Sequence, residues 1–218
     1  MKPGKHIGSS PRKFRAAALL LLFTTACSTG TQGPAPVGAH PAASTAQRGY
    51  TEADVRFMQR MIPHHAQALA MTTLVPTRSR REDIRLLAER IEVSQKDEIA
   101  QMQRWLRVRG QVVSSADPRH GHHAGAGQHA AMPGMLTHEE LTRLGAASGG
   151  EFARLFLEFM IRHHQGAQVM VAELFATPGA GQETEIFRFA SDVDADQGIE
   201  IARMRRMLGT LAAPTRPR

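Results

Sequence analysis

The chain has 218 residues, 42% of them hydrophobic and 22% charged, which is enough for one ordinary domain or two very small ones. Its formal charge of +7 gives little support to nucleic-acid binding: five of the 27 basic residues precede residue 28, leaving 22 against 20 acidic ones, and no basic stripe with interleaved aromatics occurs. The single cysteine excludes internal disulfides, thiolate clusters and a CxxCH haem attachment.

Residues 1–27 have the layout of an export signal, with Lys2, Lys5, Arg12, Lys13 and Arg15 ahead of the apolar run AAALLLLFTTA. That run, roughly 11 residues, is too short to span a bilayer as a stable helix. Cys27 stands where a bacterial lipoprotein signal carries its lipid-bearing residue, although Thr24 occupies the position that most often holds Leu in that pattern. Lipidation of Cys27 and anchoring to the cell envelope are expected, with plain secretion as the alternative. Residues 28–49, rich in Pro, Ala, Gly and Ser, read as a flexible tether.

A first hairpin is predicted over 50–110. Thr51 and Asp54 open a long helix that runs to about Val75 and is ended by Pro76; Ser79 and Glu82 form a capping-box pattern for a second helix, closed by Gly110. Residues 111–136 have neither helical nor strand period and are rich in Gly, Ala and His, which predicts a mobile connector. Over 137–209 the same grammar returns. Thr137 and Glu140 open a short helix, Ser148 and Glu151 cap a third long helix, and a fourth ends at Gly209, with 210–218 as a tail.

The two halves are copies. FMQRMIPHHAQALAM at 57–71 recurs as FLEFMIRHHQGAQVM at 156–170, an offset of 99, and Gln95, Glu98, Ile99, Met102 and Leu106 recur as Gln197, Glu200, Ile201, Met204 and Leu208, an offset of 102. A two-helix hairpin cannot bury its own apolar stripe, so the expected fold is all-α, a four-helix bundle of two packed hairpins.

Helical spacing aligns Met61, His64, Ala68 and Met71 on one face and turns His65 about 100° away. Each buried imidazole then needs a partner, and Gln95 and Gln197 on the partner helices are candidates. Thioether sulfur suits Cu(I) and imidazole binds copper in either oxidation state. The candidate ligands are therefore Met61, His64, His65 and Met71 in the first copy, and Met160, His163, His164 and Met170 in the second. The connector adds His120, His122, His123 and His129, with Met132 and Met135 in MPGM. Pro63 removes a backbone bond to Gln59 and predicts a kink, whereas the second copy sets the guanidinium of Arg162 beside its pair; the first pair is therefore the favoured site. Di-iron ferritin chemistry needs Glu three residues before His, and no helical histidine here has it. HExxH is absent, since His138-Glu139-Glu140 continues to Thr142. No haem or nucleotide is expected.

MIPHHAQALAM, MIRHHQGAQVM, EIAQMQRWL and MPGMLTHEEL together resemble the domain-of-unknown-function family 305, over about residues 49–209. The resemblance implies a ferritin-like bundle of exported bacterial proteins, some of which bind copper in the periplasm through Met and His. It carries over to the methionines and histidines of the two copies and to Met132 and Met135. Asp54 is matched by Ala153 in the second copy, so any role of that acid is expected in the first half alone. The reading is a non-enzymatic exported copper buffer or chaperone. Its rival is a structural or protein-interaction module in which the histidines staple the hairpins.

Overall fold

The computed structural model describes residues 49–116 and 132–212. Helices account for the regular structure throughout, and no strand occurs among the described residues. They are α1 (Glu52–Thr72), the single turn α2 (Val75–Arg78), α3 (Glu82–Val108), α4 (His138–Ala146), α5 (Gly149–Ala176) and α6 (Thr184–Ala212). α1 packs on α3, α5 packs on α6, and α1 crosses α5, so the two hairpins meet through their first helices.

Local chemistry explains most of the helix ends. Thr51 and Asp54 form a full capping box, as do Thr137 and Glu140. Asp54 does more than cap: its Oδ1 also accepts from the Gly181 amide at 2.7 Å, tying the start of α1 to the α5–α6 turn. Ala153, its counterpart in the repeat, is instead fully buried in the core.

Three expected boundaries and one expected cap differ. α1 ends at Thr72 and Pro76 lies inside α2. Pro at an early helical position costs nothing there, because its missing N–H would have had no partner. α3 starts after Arg81 without a side-chain cap, and Ser79 Oγ accepts only from the Arg81 amide, at 3.3 Å. Ser148 is the N-cap residue of α5 but its hydroxyl caps nothing. Gly209 does not stop α6, which runs on to Ala212, because an interior glycine weakens a helix without ending it unless the backbone turns left-handed. The 132–136 end of the expected mobile connector is also docked. Residues 132–136 are set against the bundle, with Met132 and Leu136 buried.

The core is divided in two. At one end Met71, Ile84 and Leu87 pack with Phe152, Phe156, Met160 and Met204; at the other, Met58, Met61, Met102 and Trp105 pack with Met170, Leu174, Ile186 and Phe189. Each end combines one end of every long helix, as antiparallel hairpins related by an approximate two-fold require. Between the two apolar ends lie His64, His65, Gln95, Glu98, His163, His164, Gln197 and Glu200, all buried. The bundle thus carries a polar belt at its waist.

The MPGM segment is a tight turn. Met135 N–H donates to Met132 O at 3.4 Å, and Gly134 has φ 76°, the pattern of a type II turn with Pro at its second position and Gly at its third. A Cβ on Gly166 of α5 would lie 2.0 Å from Pro133 O, so the turn seats on bare backbone. Gly166→Ala should therefore lower stability by about 1–3 kcal/mol in chemical denaturation, through displacement of the turn. Gly209→Ala, which meets no neighbour, should raise it by roughly 0.5–1 kcal/mol, whereas a helix-terminating glycine at 209 would make that change unfavourable.

Candidate metal centre

The belt is built by adjacent residues pointing in different directions. On α1 His64 faces α5, while His65, one residue on, faces α3; on α5 His163 faces α1 and His164 faces α6. His64 and His163 stack across the helix crossing, ring centroids 3.9 Å apart at 35°. Within each pair the rings lie 6.3 and 6.2 Å apart.

All four rings are held through Nε2. His65 Nε2 bonds Glu98 Oε2 and His164 Nε2 bonds Glu200 Oε2 at 2.6 Å, two equivalent contacts that each tie a hairpin together. His163 Nε2 bonds the His64 carbonyl at 2.9 Å, and His64 Nε2 bonds the Pro133 carbonyl at 3.0 Å. A carbonyl only accepts, so in His64 and His163 the proton sits on Nε2 and the neutral ring leaves Nδ1 with a bare lone pair. In His65 and His164 a carboxylate likewise accepts from Nε2–H. Among the described residues, Nδ1 of His64, His65 and His164 is buried with no hydrogen-bond partner, and so is Oε1 of Gln95 and of Gln197. His64 Nδ1 and the two carboxamide oxygens are electron-pair donors, and together they call for a cation or a proton donor.

Burial, followed by the neighbouring His65, lowers the pKa of His64 to about 3, against the smaller opposing effect of its bond to Pro133. Burial, then His64, His164 and His65, also holds His163 well below the usual imidazole range. Both rings are neutral at pH 7. Burial pushes the Glu98 carboxyl up, but the hydrogen bond and charge of His65 and the Ser94 hydroxyl outweigh it, so its pKa is lowered.

The methionines flank the belt. Met61 and Met170 belong to one apolar core and Met71 and Met160 to the other, so helical alignment puts sulfur on both sides of the histidines without gathering all four. Met132 is buried and Met135 half-buried. Arg162 turns outward to pair with Glu140 and to lie over the Phe159 ring, away from the belt. His120, His122, His123, His129 and Cys27 lie outside the described residues. Among those described, no three His, Cys, Asp or Glu side chains converge as a ready metal cluster.

Several belt partners were not singled out by helical spacing. Glu98 and Glu200, rather than Gln95 and Gln197, bond the outer histidines; they stand one turn further along within the repeat, and that repeated Gln-x-x-Glu spacing was the available signal. Gln67 clasps the connector, donating to Leu136 O at 3.0 Å and accepting from Leu136 N at 2.7 Å. Its counterpart in the repeat is Gly166, so no repeated pattern marked it.

These features define a ferritin-like helical bundle with an internal repeat and a histidine waist. The chain belongs to the family described as Domain of unknown function (DUF305), whose model matches residues 54–208. It is similar to a DUF305 fragment from Deinococcus radiodurans, at 34% identity and TM-score 0.62, covering 74% of this chain and 98% of that one. It is also similar to a DUF305 protein of Streptomyces coelicolor, provisionally described as secreted, at 28% identity and TM-score 0.61, covering 76% and 96%. CopM in its Cu(II)-bound form matches at 26% identity and TM-score 0.57, covering 72% and 96%. The Cu(I)-bound form of CopM, at 24% identity and TM-score 0.56 over 73% and 98%, shares the fold. No curated protein matches the chain.

Depressed histidine pKa values make the fold acid-sensitive. Unfolding lets His64 regain its ordinary value of 6.5, so between pH 6.5 and pH 3 the unfolded chain holds the extra proton and stability falls as pH falls. Denaturation midpoints measured from pH 7 to 4 should show a loss from His64 approaching 1.4 kcal/mol per pH unit at the acidic end. A folded His64→Gln variant should lose that part of the slope.

Proposed function

We propose that this protein is an exported, non-catalytic copper-binding protein that buffers or carries the ion through belt imidazoles and adjacent thioethers. The reading rests on one observation above the others: three buried imidazole Nδ1 atoms are unpaired while every ring is held at Nε2 by a carboxylate or a backbone carbonyl. That is the arrangement typical of metal-ligating histidine, in which the far N–H is bonded so that the near nitrogen is oriented and its basicity raised. Because burial keeps His64 and His163 neutral, protons do not compete for those rings near neutral pH. Nitrogen and thioether donors favour copper over magnesium or calcium. The similarity to Cu(II)-bound CopM lends independent support.

The N-terminal sequence supports export, and Cys27 supports a lipid anchor that would keep the bundle at the envelope. No described helix is long and apolar enough to cross a membrane. Residues 117–131 bring four more histidines, which would add capture capacity to the belt.

The competing reading is a structural module. It draws on the two His–Glu contacts, which join α1 to α3 and α5 to α6 and would serve as staples without any metal. Copper titration against a chromophoric Cu(I) chelator under reducing conditions separates the two. The wild type should bind stoichiometrically and gain thermal stability with added copper. Glu98→Gln and Glu200→Gln, which disturb the orienting contacts, should weaken binding by roughly 10–100-fold. A folded wild type that neither binds copper stoichiometrically nor gains thermal stability from it would favour the staple.

A further inference from the structure

The proposed binding atoms are buried, so an ion needs a route to them. α3 and α6 pack on α1 and α5 rather than on each other, and between them lies a cavity of about 410 Å³ whose walls include Met58, Gln101, Trp105 and Asp192. At its outer end the seam is structural: Arg109 pairs with Glu183 and Glu185, and Trp105 Nε1 donates to Glu183 at 3.2 Å. Arg188 also lines this part.

Towards the belt the seam turns acidic. The carboxyl of Asp196 has its pKa raised by burial and by Glu98, Glu200 and Asp192, so charge from both helices converges there. Asp196 stands one turn before Glu200, where like charges destabilise a helix. Its counterpart in the first hairpin is Ser94, which bonds Glu98 at 2.9 Å and adds no charge. Neither Asp192 nor Asp196 has a basic partner among the described residues. Glu98 and Glu200 span the boundary: their side chains keep 10% exposure while the rings they bond, His65 and His164, have none. Behind them, one turn along the same helix faces, Gln95 and Gln197 are 1% and 2% exposed and leave their carboxamide oxygens unpaired. Repulsive carboxylates outside and unpaired Lewis bases inside both favour a cation.

We propose that the α3–α6 seam is the entry port for the metal cation, with Asp192 and Asp196 collecting it and Glu98 and Glu200 passing it to His65 and His164. The proposal rests on the copper reading above. It assigns Asp192 and Asp196 a kinetic role, because a cleft lined by charge of one sign raises the local cation concentration and the on-rate, an effect that salt screens.

The chain's one tryptophan reports on this site, since Trp105 lines the seam and aqueous Cu²⁺ quenches indole fluorescence at short range. Stopped-flow mixing of the whole exported chain with aqueous Cu²⁺ should show the Asp192→Asn/Asp196→Asn variant loading about tenfold more slowly at low ionic strength. The gap should close at high salt, with equilibrium affinity unchanged within about twofold. Both residues are exposed, so the variant should fold normally. Glu89→Gln/Glu139→Gln, which removes the same charge away from the seam, should load at the wild-type rate. Equal rates for wild type and the Asp variant, or equal slowing by the Glu control, would overturn the port while leaving the copper reading intact. A wild type that takes up no copper in equilibrium dialysis would overturn both.

Discussion

The hydrogen-bonded histidine belt is the constraint on which the rest of this bundle depends. Placing eight polar side chains in the middle of a helical core is costly unless they satisfy one another, since an unpaired buried polar group costs about 1–3 kcal/mol. The His65–Glu98 and His164–Glu200 contacts meet that demand within each hairpin, and the His163 bond to the His64 carbonyl meets it between hairpins. These bonds also fix the register. A slip of either helix by one residue would carry an imidazole into an apolar end and leave a carboxylate buried alone. The methionine-rich cores on both sides are tolerant of shape, so the belt supplies the specificity that they do not.

The repeat is symmetric in its packing and asymmetric at its centre. If the two halves were equivalent, His64 would bond the His163 carbonyl as His163 bonds that of His64. Instead the central carbonyl of the MPGM turn takes its place, because a type II turn leaves that C=O outside its own hydrogen bond. Gly166 makes room for the turn on α5 while Gln67, at the equivalent position on α1, grips the residue after it. Divergence at one pair of equivalent positions therefore lets a single connector dock on a two-fold scaffold. A second divergence, Asp54 against Ala153, ties one end of the bundle to the α5–α6 turn and packs the other.

The carrier role proposed above draws on this arrangement. The His64 and His163 rings are neutral, every ring has its Nε2 contact, and the unpaired atoms are sealed from solvent between two sulfur-bearing cores. In the proposed entry route the acidic seam leads inward to Glu98 and Glu200, which keep 10% exposure while bonding His65 and His164.

From residue order alone came the helical hairpins, their duplication, the bundle they must form, the inward histidines and the family likeness. The structural features depend on period and spacing, which a helix converts directly into faces, and the likeness on the matching strings themselves. The capping boxes at Thr51 and Thr137 were legible for the same reason, being contacts three residues apart. Tertiary structure decided what each histidine touches. Glu98 was chosen over Gln95, and Pro133 over the symmetric carbonyl, by helix crossing and turn placement 33 to 69 residues away in the chain. Whether Met61 and Met71 share a neighbourhood was likewise settled by packing: a line along one helix crosses both cores, and only the second hairpin determines where one core stops and the belt begins.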